Sequence, residues 1–288
     1  MPEKTTTSGT ALGVRQPDHL DAIVFDQVSL AFDDHVVLKD LSFTVPKGDM
    51  RILFGASGAG KSVILKLTLG LLRPDSGAIT VNGVRVDQTP EHELLRMRAD
   101  TGMVFQENAL FDSLTVEQNV AFRLSEEREL SEQQVDARVD EVLGFVGLRE
   151  FAERMPAALS GGQRRRVGIA RAMASKPKLL LFDDPITGLD PLIATTIDDE
   201  IVKLRDFEDV TTFVVTHQIR DAFYIAEHRA IESGGKIEVV KEDASKIPGV
   251  EFMVLHEGAI LFQGNASELL SAKDPYLVEY LYKTLPPW

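Results

Sequence analysis

Gly55-Ala56-Ser57-Gly58-Ala59-Gly60-Lys61-Ser62 is the stretch from which the rest of this chain can be read. Its small residues let backbone N–H groups close around an anion, and the lysine and hydroxyl that follow suit phosphate oxygens and Mg²⁺. Before it, Ile52 and Phe54 end an apolar run of strand type. After it, Val63, Ile64, Leu67 and Leu71 recur with helical spacing. Strand, glycine-rich turn and helix in succession predict a phosphate-binding loop in an α/β fold. Lys61 is then placed for the β- and γ-phosphates and Ser62 for Mg²⁺.

The flanks extend this pattern. From Ala22 to Phe54, apolar residues alternate in short runs: Ile23, Phe25, Val28, Leu30 and Phe32, then Leu41, Phe43 and Val45. With Pro46-Lys47-Gly48-Asp49 as a turn, this reads as sheet. A second β segment, Ala78 to Val86, holds the hairpin signal Asn82-Gly83. Between Glu107 and Pro156 the spacing becomes helical: Ser131 and Gln134 predict a capping box, and Val135, Val139, Val142, Leu143 and Val146 share one face. Lys178–Phe182 and Val210–Thr216 suit buried parallel strands, and Ile193, Ile197, Ile201 and Leu204 mark a helix between them. The expected organisation is a flexible tail over 1–20, one domain over 21–272 with a helical subdomain at 107–158, and a C-terminal tail over 273–288.

Composition narrows the function. The chain of 288 residues has 45 acidic and 31 basic side chains, a net charge of −14, which argues against a nucleic-acid partner. Without cysteine there is no disulfide framework, thiolate metal site or cysteine nucleophile. No uncharged stretch approaches the roughly twenty residues of a membrane span. The polar start lacks the apolar core of a secretory signal, so a cytoplasmic location is expected. No cluster of His and carboxylates has transition-metal spacing.

A second motif, Leu159-Ser160-Gly161-Gly162-Gln163, resembles the signature of ATP-binding cassette (ABC) ATPases, and the family's other elements occur in order. Gln106 in Val-Phe-Gln is similar to the Q-loop, Leu179–Asp183 to Walker B, Gly188-Leu189-Asp190 to the D-loop and His217 to the switch histidine. Phe32 resembles the aromatic that stacks on adenine. The resemblance covers roughly Ala22 to Leu270. It implies a P-loop NTPase core with an antiparallel β subdomain and an inserted α-helical subdomain. The nucleotide, ATP, would be bound by Phe32, Gly55 to Ser62, Val63, Ser160, Gly161, Gly162 and Gln163. Ser62, Gln106 and Asp183 would hold Mg²⁺, and Asp184, His217 and Gln106 would serve catalysis. The family arrangement further implies a head-to-tail homodimer in which Ser160 and Gly162 reach the γ-phosphate held by the other chain's Lys61 and Ser62. It also implies integral-membrane permease subunits and a peripheral position on the cytoplasmic face of the inner membrane.

One catalytic position departs from the family. Asp184 stands where a Glu normally follows the Walker B Asp. The lost methylene withdraws the carboxylate by roughly 1.5 Å, and a misplacement of about 1 Å can cost on the order of 100-fold. Retained but reduced hydrolysis is expected, the alternative being a slow, ATP-sensing cassette. Gly60–Lys66, Gly102–Leu114 and Val167–Ala172 resemble the ATPases of Mla/Mce-type lipid transporters, which implies phospholipid or other lipid transport and an MCE-domain lipid-binding partner. Amino-acid and other importers share much of these stretches. Residues 232–251 exceed the family pattern and read as an added hairpin or flap. Arg164, Arg165 and Arg166 read as a solvated helix face.

Overall fold

Alternating apolar positions build the first sheet. In the computed structural model, which describes residues 21–107, 109–126 and 130–285, β1 (Asp21–Phe32) and β2 (His35–Pro46) pair antiparallel with Phe25 opposite Phe43 and Val28 opposite Leu41. After β3 (Met50–Phe54) and α1 (Lys61–Thr68), β4 (Ser76–Val81) joins the free side of β1, and β5 (Val84–Arg85) follows it. Asn82 and Gly83 both have positive φ (48° and 83°), as a two-residue hairpin of this hand requires. Leu71 lies beyond α1 and is 55 % exposed, so it is not part of the helix's apolar face. The tail expected over 1–20 lies outside the described residues.

The second sheet runs in the order β12-β11-β3-β8-β7-β6. Here β6 is Thr101–Val104, β7 Leu179–Asp183, β8 Thr211–Thr216, β11 Val250–His256 and β12 Ala259–Gly264. All neighbours are parallel except β11 and β12. Every residue of β3 is buried, as expected of a parallel strand covered on both faces. Period two divides its side chains. Leu53 joins Phe213, Val215 and Met253 in a core shared with the first sheet, whereas Ile52 and Phe54 join Leu180, Phe182 and Phe252 beneath the helices. Ring centroids of Phe25 and Phe43 lie 4.6 Å apart, and Phe43 and Phe213 5.8 Å apart, which ties the sheets together. Burying each such ring is worth roughly 1.5–3 kcal/mol.

Helices cover the remaining faces. α2 (Glu91–Ala99) precedes β6, and α3 (Val116–Glu126) and α4 (Glu132–Phe145) pack with α5 (Gly161–Ala174). The capping box at Ser131 and Gln134 is formed. α6 (Pro191–Phe207) and α7 (Ile219–Glu227) flank β8, and α8 (Ala266–Leu270) follows β12.

Two boundaries need correction. The described part of the C-terminal tail expected over 273–288 is a helix: α9 (Pro275–Thr284) starts at Asp274, whose carboxylate accepts from the N–H groups of Tyr276 and Leu277. It buries Leu277 and Leu281 and stacks Tyr280 on Phe54. The insertion expected over 232–251 is a hairpin, but it begins earlier. It comprises β9 (His228–Ser233) and β10 (Lys236–Lys241) around Gly234-Gly235. Arg205 donates to the His228 carbonyl and Asp206 accepts from the Ala230 N–H, so α6 holds the first strand in place. At the other end, Val250 and Glu251 already pair with β3.

Candidate functional site

The sheet order gathers the predicted residues at the carboxyl ends of adjacent strands, where open parallel sheets bind ligands. Phe54 pairs with Thr216 and Asp183 with Val215, so Gly55, Asp184 and His217 follow from neighbouring strand ends. Gly58 (φ 80°) and Gly60 (φ 100°) bend the loop through left-handed backbone. A Cβ on Gly55 would lie 2.4 Å from the Leu255 carbonyl oxygen, and one on Gly60 2.9 Å from Val37 Cγ1. Gly55 is therefore required by close packing against backbone, and Gly60 by its left-handed backbone as well as by the Val37 side chain. α1 has no side-chain cap and no acidic residue in its first turn, which leaves its positive end available to an anion.

Lys61 is buried and its Nζ donates to the Gly55 and Ala56 carbonyls, both at 2.9 Å. Burial lowers its pKa, and the charges of Asp184 and Asp183 oppose that effect. The Ser62 hydroxyl donates to Asp183 Oδ1 at 2.9 Å. Burial raises the pKa of Asp183, the Ser62 hydrogen bond lowers it, and the charge of Asp184 raises it again. A hydroxyl and a carboxylate side by side offer hard oxygens to a small divalent cation that keeps its remaining positions for water and phosphate, so the residues fit Mg²⁺. Among the described residues no group of three or more His, Cys, Asp or Glu could form a self-sufficient metal cage.

Asp184 is buried in left-handed backbone (φ 45°), and its N–H donates to the Val215 carbonyl. Its Oδ1 accepts from the His217 N–H at 2.9 Å and lies 2.7 Å from His217 Nδ1. A carboxylate can only accept, so Nδ1 carries a proton and Oδ2 is left for another donor.

The signature residues form a second helix start. Ser160 caps α5: its Oγ accepts from the Gln163 N–H, and the Gln163 side chain accepts from the Ser160 N–H. No acid occupies the first turn of α5. Gly162 lies against α6, where a Cβ would meet Ile193 Cγ2 at 2.2 Å. Gln106, exposed just beyond β6, makes no hydrogen bond to Ser62 or Asp183 among the described residues. Phe32 is 45 % exposed at the end of β1, on the hairpin whose Val37 overlies Gly60. Val63 is half-buried in α1.

The arginine run is not a solvated face. Arg165 is buried, with Nη1 donating to the Phe105 carbonyl. Arg164 donates to the Leu159 carbonyl and Arg166 to the Val146 carbonyl. Every member is turned onto backbone at a loop or helix end. The sequence carried no pattern that separates such contacts from solvation.

The uncapped start of α1 and two carboxylates beside a lysine suit the phosphates of a nucleotide, and comparison with known proteins specifies the class of the site. The ABC transporter family model matches residues 38–187. Putrescine transport ATP-binding protein PotG of Escherichia coli (strain K12) is 40 % identical over 212 residues, which make up 74 % of this chain and 55 % of that protein. A sulfate/thiosulfate import ATP-binding protein, CysA of Synechocystis, is 38 % identical over 263 residues, covering 88 % of this chain and 72 % of that one. Among solved structures, a dimeric, post-hydrolysis ATP-binding cassette bound to ADP and Pi aligns with TM-score 0.70 at 27 % identity, covering 84 % of this chain and 98 % of that one. cbiO1 of Clostridium perfringens, part of the transporter complex cbiONQ, aligns with TM-score 0.73 at 25 % identity, covering 92 % and 96 % respectively. The chain belongs to the ABC transporter family, as an ABC-type ATPase cassette that takes ATP with Mg²⁺.

Proposed function

We propose that this chain is the ATP-hydrolysing subunit of a membrane transporter and works as a head-to-tail homodimer. In that dimer the loop Gly55–Ser62 of one copy faces Ser160–Gln163 of the other across each ATP. The observation that carries the reading is Ser62 hydrogen-bonded to Asp183 beside Lys61, with Asp184 tied to His217 on the next strand end. Lys61 and the loop N–H groups bind the β- and γ-phosphates, and Phe32 stacks on the adenine. Ser62, Asp183 and Gln106 would hold Mg²⁺, which neutralises charge on the phosphate oxygens. Asp184 Oδ2 accepts a hydrogen bond from the attacking water, and His217 fixes the carboxylate through Oδ1. Ser160 has spent an acceptor site on its cap, and its hydroxyl proton remains for the partner copy's γ-phosphate. Leu192, 82 % exposed in the first turn of α6, offers an apolar residue for the partner copy to cover.

Among the described residues no helix is long and apolar enough to cross a membrane. The family likeness supports a position on the cytoplasmic face of the inner membrane, where permease subunits hold the chain. The surface for them is the segment after Gln106. Arg171 holds the Ala109 carbonyl, and buried Asn119 bonds both the N–H and the carbonyl of Phe111. Phe111 and Phe122 stay exposed with ring centroids 4.5 Å apart. The likeness of Gly102–Leu114 to Mla/Mce-type ATPases supports a lipid cargo and an MCE-domain partner. A second reading, import of a small solute, is supported by the relatives named for putrescine and for sulfate and thiosulfate. Co-purification from detergent-solubilised membranes, with bound lipids identified by mass spectrometry, tests the cargo. Recovery with a permease carrying phospholipid, and ATPase stimulation by phospholipid vesicles, are expected. Stimulation by a small solute with its binding protein would favour the second reading, and recovery without any membrane protein would overturn both.

A further inference from the structure

Arg165 sits two residues beyond Gln163 on α5, only 2 % exposed. Burial lowers its pKa, and the acid whose charge opposes that effect is Asp184. Among the described residues it forms no ion pair. Its Nη1 donates to the Phe105 carbonyl at 2.5 Å, and Nη2 makes a long contact of 3.5 Å to the Thr187 carbonyl. Its Nε and the Thr187 hydroxyl are buried without hydrogen-bond partners. A desolvated cation is costly unless dipoles replace its water, and here two carbonyls from distant segments do so. Phe105 immediately precedes Gln106, and Thr187 lies in the turn between Asp184 and Asp190.

We propose that Arg165 is a positioning residue that fastens the Gln106 loop and the Asp184–Asp190 turn to the signature helix, so that three segments facing ATP move as one body. The proposal rests on the ATPase reading and deepens it. Arg suits the role because its planar fork spreads donors over two carbonyls, whereas a lysine is a single point of charge. If either loop moved away alone, it would strand a buried guanidinium with one donor group fewer satisfied. A displacement sensed at Gln106 therefore carries α5, and with it the residues Ser160–Gln163 offered to the partner copy. The coupling acts on turnover more than on capture of ATP, because Arg165 contacts no part of the loop Gly55–Ser62.

The test compares the full chain with Arg165→Met and Arg165→Lys, measuring amide hydrogen exchange without nucleotide and steady-state ATP hydrolysis with Mg²⁺. In Arg165→Met, exchange should rise about tenfold over 101–107 and 184–190 while 21–46 stays unchanged. Its kcat should fall about tenfold or more with KM within about twofold, and Arg165→Lys should recover part of both effects. Unchanged exchange in the two segments, a rise spread evenly over the chain, or a kcat matching the wild type would each overturn the proposal. A wild-type chain without ATP hydrolysis would defeat the ATPase reading instead, and the exchange comparison would still decide the role of Arg165.

Discussion

At Asp184 the backbone turns left-handed (φ 45°), a conformation that costs most side chains roughly 1–2 kcal/mol and that Asp tolerates better than they do. The short carboxylate then folds onto His217, spending Oδ1 on both of its N–H groups. Asp184→Asn removes the acceptor that orients the attacking water. Phosphate release should fall about 100-fold or more while ATP binding persists. Asp184→Glu restores the missing methylene and should raise kcat by about tenfold, at a stability cost of about 1 kcal/mol from the left-handed backbone. Equal turnover of Asp184→Asn and wild type would remove Asp184 from the mechanism. The Gly55–Ser62 loop was legible because its chemistry lies in consecutive residues. Arg165 was not, because its partners Phe105 and Thr187 are set by the fold.

Between α6 and α7 a buried acid pair gives the molecule a pH-dependent joint. Asp198 is 2 % exposed, and its pKa is raised well above 3.8, by burial first and then by the charges of Asp221 and Asp199. Arg220 opposes that rise, Asp221 is itself raised chiefly by burial with Arg220 and His217 opposing, and Tyr224 donates to Asp199. A raised folded-state pKa means that the stabilisation carried by protonated Asp198 is complete below pH 3.8 and is lost as pH rises through the folded value. Asp198→Asn should therefore be more stable than wild type at alkaline pH, by roughly 1.4 kcal/mol for each tenfold by which folding tightens proton binding at Asp198. The gain should shrink on acidification, as read from urea midpoints across the pH range. A gain constant with pH would contradict this. In α9, Leu277→Ala should cost about 2–5 kcal/mol, measured by denaturant unfolding. A negligible loss would mean that the helix is not docked on Phe54. The start of α9 had a legible signal, Asp274-Pro275 with Leu277 and Leu281 one turn apart. At α5, Ser160 and Gln163 repeat the Ser-x-x-Gln spacing of Ser131 and Gln134, so the signature's helix start could also be read as a capping box.

For the whole molecule, apolar period and glycine punctuation mark the β segments and an inserted helical layer, while the division into two sheets follows only from the family resemblance. They could not foresee which strands are neighbours. The order β11-β3-β8-β7 brings Gly55, Asp184 and His217 together from positions far apart in the chain, and only the tertiary fold fixes that order. The insertion's limits are not legible in the sequence for a related reason. His228 and Ala230 belong to β9 through contacts with Arg205 and Asp206, which no local pattern announces. The uncapped helix start at Gly60 and the Ser160-capped start of α5 belong to different parts of one chain, and in the proposed dimer two copies bring them face to face. Mixing Lys61→Ala chains with Ser160→Ala chains tests this most directly. Each variant alone should be inactive, whereas a mixed dimer holds one site with both the intact lysine and the intact serine. An equal mixture should therefore regain about a quarter of wild-type ATP turnover. A mixture no more active than its two components measured separately would contradict a site shared between copies.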